Sequence, residues 1–301
     1  MSTEWIAVDW GTTNLRVWSV GADGQVSAPL SSDKGMGQLP PEAFEGALLE
    51  LIEPLLADGR VTPVIACGMV GARQGWAEAP YASVPCTPPG AAEAIQPPTQ
   101  DPRIAVHILP GVMQSDPPDV MRGEETQIAG FLAAEPDFDG ILCLPGTHTK
   151  WVQISAGEIV SFRTVMTGEL FALLSGQSVL RHSVQSDDWD DDAFEAALND
   201  AMTSPQHLTT RLFGLRAGSL LAGLAPDTAR ARLSGLLLGL ELAGTRPYWL
   251  GQRVAIIGDG ALAQRYETAL GIVGAMVEVT DGAGLTLAGL TRAYTDMEKA
   301  T

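Results

Sequence analysis

The feature that most constrains the fold is a pattern that occurs twice. Residues 6–20, "IAVDWGTTNLRVWSV", run as an apolar strand into Asp9, turn through Gly11-Thr12-Thr13-Asn14 and resume with alternating apolar residues. Residues 141–154, "ILCLPGTHTKWVQI", repeat the order, with Gly146-Thr147-His148-Thr149-Lys150 at the turn. Alternation on both sides of a short Gly-containing turn predicts a β-hairpin. Two such hairpins in one chain predict an α/β protein whose second half repeats the opening of the first.

The segments around the hairpins extend this reading. The first half predicts strands at "EWIAVDW", "LRVWSVG" and "VSAPL", a helix over "PEAFEGALLELIEPLLADG" that stops at Gly59, and a buried strand at "TPVIACGMV". From Gly71 to Pro118 the composition shifts to Pro, Gly and Ala, with only "RIAVHILPG" predicting a strand. Such a stretch marks a functional loop or a domain boundary. The second half opens with a helix at "GEETQIAGFLAAEP", whose first-turn acids suit the helix dipole, and continues through three strands to a helix from Glu169. Helix "RARLSGLLLGLELAGT", strand "RVAIIG", helix "ALAQRYETALGIVG", strand "AMVEVTDG" and a terminal helix follow. The acidic run "SDDWDDDAFEAALND" predicts a solvated helix start, because it lacks the Gly and terminal Glu of a calcium loop.

Composition removes several classes of function. With 301 residues and 46% apolar side chains, the chain has core enough for one large or two medium domains. A net charge of −18, with only 18 Lys and Arg spread along the chain, argues against nucleic acid. An anionic ligand would instead be met locally, by backbone amides, helix N-termini, a metal or a few placed cations. No apolar run reaches the roughly 20 residues that span a bilayer, and no leader pattern opens the sequence. Cys67, Cys86 and Cys143 are odd in number, widely spaced and set in apolar surroundings. They predict buried thiols and a cytoplasmic location. A homo-oligomer stays open.

Four constellations carry chemistry. Asp9 with Gly11, Thr12, Thr13 and Asn14 is the first: Gly permits close backbone approach, successive N–H groups form an anion-binding concavity, and the hydroxyls add donors. An ordinary hairpin turn is its plainer reading. Gly146 to Lys150 is the second; it lacks Walker A spacing, and His148 has no second His or Cys at ligand spacing, so a turn hydrogen bond is its expected role. The third, Gly258-Asp259-Gly260-Ala261-Leu262-Ala263, matches the dinucleotide fingerprint, with Glu278 at the distance of a ribose contact. Only 23 residues follow Glu278, too few for a sheet of which this would be the first unit. The fourth is Glu124-Glu125 after Arg122-Gly123 at a helix start, where either acid could be a dipole-favoured surface residue or a general base. A polar loop at 71–85 offers Arg73, Gln74, Trp76 and Tyr81 for a small ligand, or forms a structural Ω-loop.

The order of these motifs resembles the sugar-kinase, actin and Hsp70 superfamily. More closely, "DWGTTNLR", "CGMVGARQGW", "RGEETQIAG", "LPGTHTKWV" and "MTGELFALL" resemble the 2-dehydro-3-deoxygalactonokinase family. The resemblance implies two ribonuclease-H-like (actin-like ATPase) domains around a central cleft, expected at residues 1–113 and 114–301. It implies ATP-dependent phosphorylation of the 6-hydroxyl of 2-dehydro-3-deoxy-D-galactonate, with Mg²⁺ held by Asp9, phosphates on Gly11–Asn14 and Gly146–Lys150, and adenosine near Gly258–Gly260. The acid of related kinases aligns best with Glu124, with Glu125 as the neighbouring candidate. Arg73, Gln74, Trp76 and Arg122 are the expected sugar-acid contacts, since a 2-oxo acid needs a cation or amide donors. Two other readings are a dinucleotide-dependent oxidoreductase built on Gly258–Gly260 and a non-catalytic actin-like ATP-binding protein.

Overall fold

Alternation along the first strand sets the layers of the first half. In β1 (Thr3–Trp10), Trp5 and Ala7 enter one hydrophobic cluster while Ile6, Val8 and Trp10 enter another on the opposite face. A period of two therefore places Asp9 on the Trp5 and Ala7 face. The computed structural model describes residues 3–300.

The elements that follow are β2 (Leu15–Gly21), β3 (Leu30–Ser32), α1 (Phe44–Ile52), β4 (Thr62–Gly68), β5 (Tyr81–Ser83), β6 (Ile104–Ile108), β7 (Gly111–Ser115), β8 (Pro118–Met121) and α2 (Glu124–Ala134). Next come β9 (Gly140–Leu144), β10 (Thr149–Ser155), β11 (Glu158–Val165), α3 (Thr167–Gly176), α4 (Asp191–Thr203), α5 (Leu208–Leu221), α6 (Pro226–Gly244) and α7 (Arg246–Trp249). The chain continues through β12 (Val254–Ile257), α8 (Gly260–Ile272), β13 (Val277–Thr280) and α9 (Gly282–Ala300).

The chain forms two units. The first contains the residues up to Phe138, the piece Ser155–Ser161 and the residues from Gly282 onward; the second contains Asp139–Ile154 and Phe162–Asp281. The expected boundary at 113 thus falls inside the first unit. Both units carry a five-stranded sheet of the same design. In the first the order is β3-β2-β1-β4-β6, with β1, β2 and β3 antiparallel and β1, β4 and β6 parallel. In the second the order is β11-β10-β9-β12-β13, with β9 antiparallel to β10 and parallel to β12, which is parallel to β13. This is the ribonuclease-H-like arrangement in both halves.

In the first unit, α1 covers the Ile6, Val8 and Trp10 face through Phe44, Ala47, Leu48 and Ile52. The opposite face receives Leu290 and Ala293 of α9, and Tyr294 stacks on Trp5 at 4.6 Å. The terminal helix returns to the first unit because α2 is shaped to receive it. A Cβ on Gly130 would lie 2.1 Å from the Leu285 carbonyl oxygen, and one on Gly289 would lie 1.9 Å from that of Thr126. The two helices pack backbone to backbone. In the second unit α4, α6 and α8 cover one sheet face around Trp151, Phe194 and Tyr266, and Gly235 and Gly239 bring α6 against α4 in the same manner.

Three local expectations differ from the structure. The helix expected to run to Gly59 ends as α at Ile52, with a 3-10 turn at Glu53–Leu55, because Pro54 has no N–H to continue the ladder. The strand expected at "VSAPL" is displaced to Leu30–Ser32, beyond Pro29. The stretch from 71 to 118, expected to hold one strand, also carries β5 and β7, which form a small separate sheet with β8 at its end. The acidic run behaves as expected: Asp190 caps α4, accepting from the Ala193 N–H at 3.0 Å.

Gly289→Ala is expected to destabilise the first unit by about 1–3 kcal/mol, since backbone rather than a flexible side chain blocks the added methyl. The readout is the urea unfolding midpoint. A wild-type midpoint would show that α9 does not seat on α2 through this glycine.

Candidate active site

The first turn is held from behind by a strap at residues 35–37. The Gly11 N–H closes the turn onto the Asn14 carbonyl at 2.9 Å. The carbonyls of Gly11, Thr12 and Thr13 then accept from the N–H groups of Met36 (3.0 Å), Gly37 (2.9 Å) and Gly35 (3.2 Å). In a trans peptide the N–H opposes the carbonyl of the preceding residue. With three consecutive carbonyls tied to the strap, the N–H groups of Thr12, Thr13 and Asn14 face the other way, and these three residues are exposed. Successive N–H groups on one side form an anion-binding concavity. The strap must be glycine at 35, where a Cβ would lie 2.2 Å from the Thr13 carbonyl carbon.

Beside this turn the ends of three elements converge. Trp10 pairs with Gly68 in the parallel β1–β4 ladder. Gly68 has φ +91°, and a Cβ there would lie 2.7 Å from the Trp10 carbonyl oxygen. Gly123, at φ +110°, precedes α2, and a Cβ there would lie 3.3 Å from Gly68 Cα. Both residues need glycine for the left-handed backbone and for the approach. The head of α2 is thereby brought to the end of β4 on the face that carries Asp9 and Cys67.

The two acids at that head do different things. Glu125 is 1% exposed, and both its oxygens accept the Gly123 N–H, at 2.7 and 2.9 Å. Burial pushes its carboxyl up to about 7, the charge of Glu124 adds to this, and the Gly123 hydrogen bond opposes it. Glu124 is half-buried, with Oε2 accepting from the Arg122 N–H at 3.1 Å. Burial also raises Asp9 above the ordinary carboxylate range, with Arg16 lowering it and Glu124 raising it. Asp9 and Glu124 are therefore close enough to repel, beside a concavity built for anions. A divalent cation held at Asp9 would relieve this repulsion.

Arg122 closes the other side. Its guanidinium stacks on the Tyr81 ring at 4.2 Å and its Nη2 donates to the Ala79 carbonyl at 2.8 Å. Its Nε and Nη1 are buried with no hydrogen-bond partner. Buried unpaired donors on a cation call for an acceptor.

The second turn is braced in the same way. A Cβ on Gly168 would lie 2.2 Å from the Gly146 carbonyl oxygen, and the Glu169 N–H donates to the Thr147 carbonyl at 2.9 Å. His148 bonds through Nε2 to Glu169 Oε2 at 2.5 Å, tying the turn to α3. Lys150 is buried, its ammonium donating to the His148 carbonyl at 3.3 Å. Gly258-Asp259-Gly260 joins β12 to α8, with Gly260 at φ +61°. A cavity of about 240 Å³ lies between this helix and the second turn, lined by Gly146, Thr147, Phe171, Leu237, Leu262 and Arg265 among others.

A family model described as 2-keto-3-deoxy-galactonokinase matches residues 9–293, which include both turns, the head of α2 and the third glycine motif. The chain belongs to this family. It is 40% identical over 296 residues to the "Probable 2-dehydro-3-deoxygalactonokinase DgoK1" of Rhizobium meliloti (strain 1021), covering 95% of each chain. It is 35% identical over 293 residues to the 2-dehydro-3-deoxygalactonokinase of Escherichia coli (strain K12), covering 96% of this chain and 97% of that one. A crystal structure from Sinorhizobium meliloti, provisionally described as a 2-dehydro-3-deoxygalactonokinase, superposes with a TM-score of 0.90 at 39% identity, covering 97% and 99%.

Within this kinase family the expected site residues fall into clear groups. Asp9, Gly11–Asn14, Arg122, Glu124 and Glu125 gather in the first unit; Gly146–Lys150 and Gly258–Gly260 gather in the second. Arg73 and Gln74 lie exposed on the 71–79 loop, Arg73 paired with Glu78 at 3.3 Å. Trp76 is partly buried, packing edge-on to Trp10 and stacking on Phe44. Glu278 pairs with Arg253 at 2.9 Å. The Gly258 turn follows an inner strand of a sheet whose next strand, β13, is the edge, which leaves no room for a dinucleotide-binding half. The braces at Gly35, Gly37 and Gly168 escaped the sequence reading, although "KGMG" and "TGE" carry the glycines in plain view.

Glu125 sets a pH dependence of known sign. Between its ordinary value of 4.5 and about 7 the folded protein holds a proton that the unfolded chain has released. Stability therefore falls as pH rises through that window. Glu125→Gln keeps an acceptor for the Gly123 N–H and removes the ionisation. Its Tm should vary less than that of wild type between about pH 5 and about pH 8, with the largest gain at the upper end. Parallel Tm curves for the two proteins would mean that Glu125 does not titrate there.

Proposed function

We propose that the chain transfers the γ-phosphoryl group of ATP to the 6-hydroxyl of 2-dehydro-3-deoxy-D-galactonate, giving 2-dehydro-3-deoxy-6-phospho-D-galactonate and ADP. The observation that carries the mechanism is the meeting of Glu124, Asp9 and the braced turn at the head of α2, in a chain of the 2-keto-3-deoxy-galactonokinase family. Glu124 is the base: its carboxylate takes the hydroxyl proton as the sugar oxygen bonds to the γ-phosphorus and the bond to the β-phosphate oxygen breaks. Glu125 is the wrong shape for this step, since both its oxygens are spent on the Gly123 N–H inside the protein. By fixing that amide it holds Glu124 in place.

Asp9 would hold Mg²⁺, which when bound would neutralise charge on the phosphates. In the first unit the N–H groups of Thr12, Thr13 and Asn14 are assigned to phosphate oxygens; in the second unit the braced turn Gly146–Lys150 has the same assignment. Adenosine is assigned to the cavity beside Gly258–Gly260, where Leu262 and Phe171 offer apolar walls. The sugar acid's carboxylate completes Arg122 through the two nitrogens that lack a partner. Arg73 and Gln74 extend the loop toward the rest of the substrate. The free thiols Cys67, Cys86 and Cys143 favour a cytoplasmic setting, and no helix of the described residues is long and apolar enough to cross a membrane.

Glu124→Gln should fold and bind ATP as wild type does, yet lose about 10²–10⁴-fold in kcat, the usual worth of a general base. Coupled ADP release with 2-dehydro-3-deoxy-D-galactonate as acceptor measures it, and near-wild-type turnover would leave an ATP-binding protein whose base lies elsewhere. Arg122→Lys keeps the charge and loses the planar fork. It should raise KM for the sugar acid by about 10- to 100-fold while leaving KM for ATP alone. An equal rise in both constants would reduce Arg122 to a support for its loop.

A further inference from the structure

Glu241 is an acid in the apolar run "LLLGLELAG" of α6, and it is 2% exposed. An ionised carboxylate so placed costs several kcal/mol unless hydrogen bonds replace its water. Three donors do so. Trp151 Nε1 reaches Oε1 at 2.8 Å, the Tyr266 hydroxyl reaches Oε2 at 2.9 Å, and the Thr167 hydroxyl adds a third bond. Because a carboxylate only accepts, Tyr266 must donate to it, and the Thr149 hydroxyl, 2.6 Å away, must then donate to Tyr266. The chain of bonds has one direction, from Thr149 through Tyr266 to Glu241.

The donors stand at the points that matter for the nucleotide. Thr149 and Trp151 open β10 directly after the second turn. Thr167 opens α3, whose next two residues brace the carbonyls of Gly146 and Thr147. Tyr266 lies on α8, the helix that starts at the third glycine motif, and it lines the 240 Å³ cavity together with residues of that turn and of α3. We infer that Glu241 is a positioning residue for nucleotide binding, a buried carboxylate that fixes the second turn, the head of α3 and α8 in one register. An apolar side chain would fill the same space without the desolvation cost, so stability alone does not account for an acid here. The inference also moves Thr149 from ligand contact to support, since its hydroxyl is turned inward and fully buried.

The inference rests on the reading that the second turn and its cavity hold ATP, and the experiment separates the two. Leu262→Trp, which fills the cavity, tests that reading: ATP binding by calorimetry should weaken, and an unchanged Kd would overturn the assignment of the cavity. Glu241→Gln offers one acceptor and an unwanted donor where two acceptors are needed. It should raise Kd and KM for ATP by about 10-fold or more, as sub-ångström misplacement of binding groups does, without raising KM for the sugar acid. Tyr266→Phe cuts the same chain at its middle and should show the same split at about 5-fold, the loss of one or two hydrogen bonds. If Glu241→Gln fails to fold, Tyr266→Phe carries the test alone. Leu262→Trp weakening ATP while Glu241→Gln and Tyr266→Phe bind it normally would overturn the inference, as would a lowered Tm with KM for ATP unchanged.

Discussion

The meeting of Trp10, Gly68 and Gly123 is the contact from which the rest of the first unit's chemistry follows. Two strand ends and a helix head come within van der Waals distance of one another's main chain, and two left-handed glycines make this possible. A side chain at either place would push α2 away from β4. Asp9, on the same face by strand alternation, would then face solvent instead of Glu124. The geometry of the proposed site is set by where side chains are missing as much as by where they stand.

The two units reach a common result by similar means. In the first a neighbouring segment takes three carbonyls of the Gly-Thr turn, in the second it takes that of Thr147, and in each a glycine in that segment allows the approach: Gly35 in the first, Gly168 in the second. Each unit also holds a buried glutamate that accepts hydrogen bonds. Glu125 serves the amide before α2, and Glu241 serves the hydroxyls and indole around β10. The difference lies in what they hold: Glu125 fixes one peptide beside an acid, Glu241 joins three elements around a cavity.

The parts of this arrangement that were legible in the sequence are those governed by local rules. Strand periodicity with a Gly-Thr turn marked both hairpins, and "RGEETQ" marked the head of α2, because alternation and dipole preference act over a few residues. Which of the two acids faces outward was not legible, since that depends on where the Gly123 amide points. That Trp76, in a polar loop, packs on Trp10 and Phe44 was not legible either, because only tertiary structure brings the three rings together. β5, β7 and β8 were hidden by their short length and by the prolines between them. Glu241 was visible as one acid in an apolar helix face, yet its meaning required the positions of Trp151, Tyr266 and Thr167, far from it along the chain.

The glycine seam between α2 and α9 has a consequence during protein synthesis. α2 carries the acids of the site, but the surface against which it packs is supplied by residues that leave the ribosome some 150 positions later, since Gly130 meets Leu285 and Gly289 meets Thr126. Until then the first half of a nascent chain has its central sheet and lacks the helix that covers one of its faces. Residues 162–281, which belong to the other unit, are translated in this interval. The nascent chain therefore gains its seated α2 only after α9 has emerged, which ties the geometry at the head of α2 to the synthesis of a helix far along the sequence.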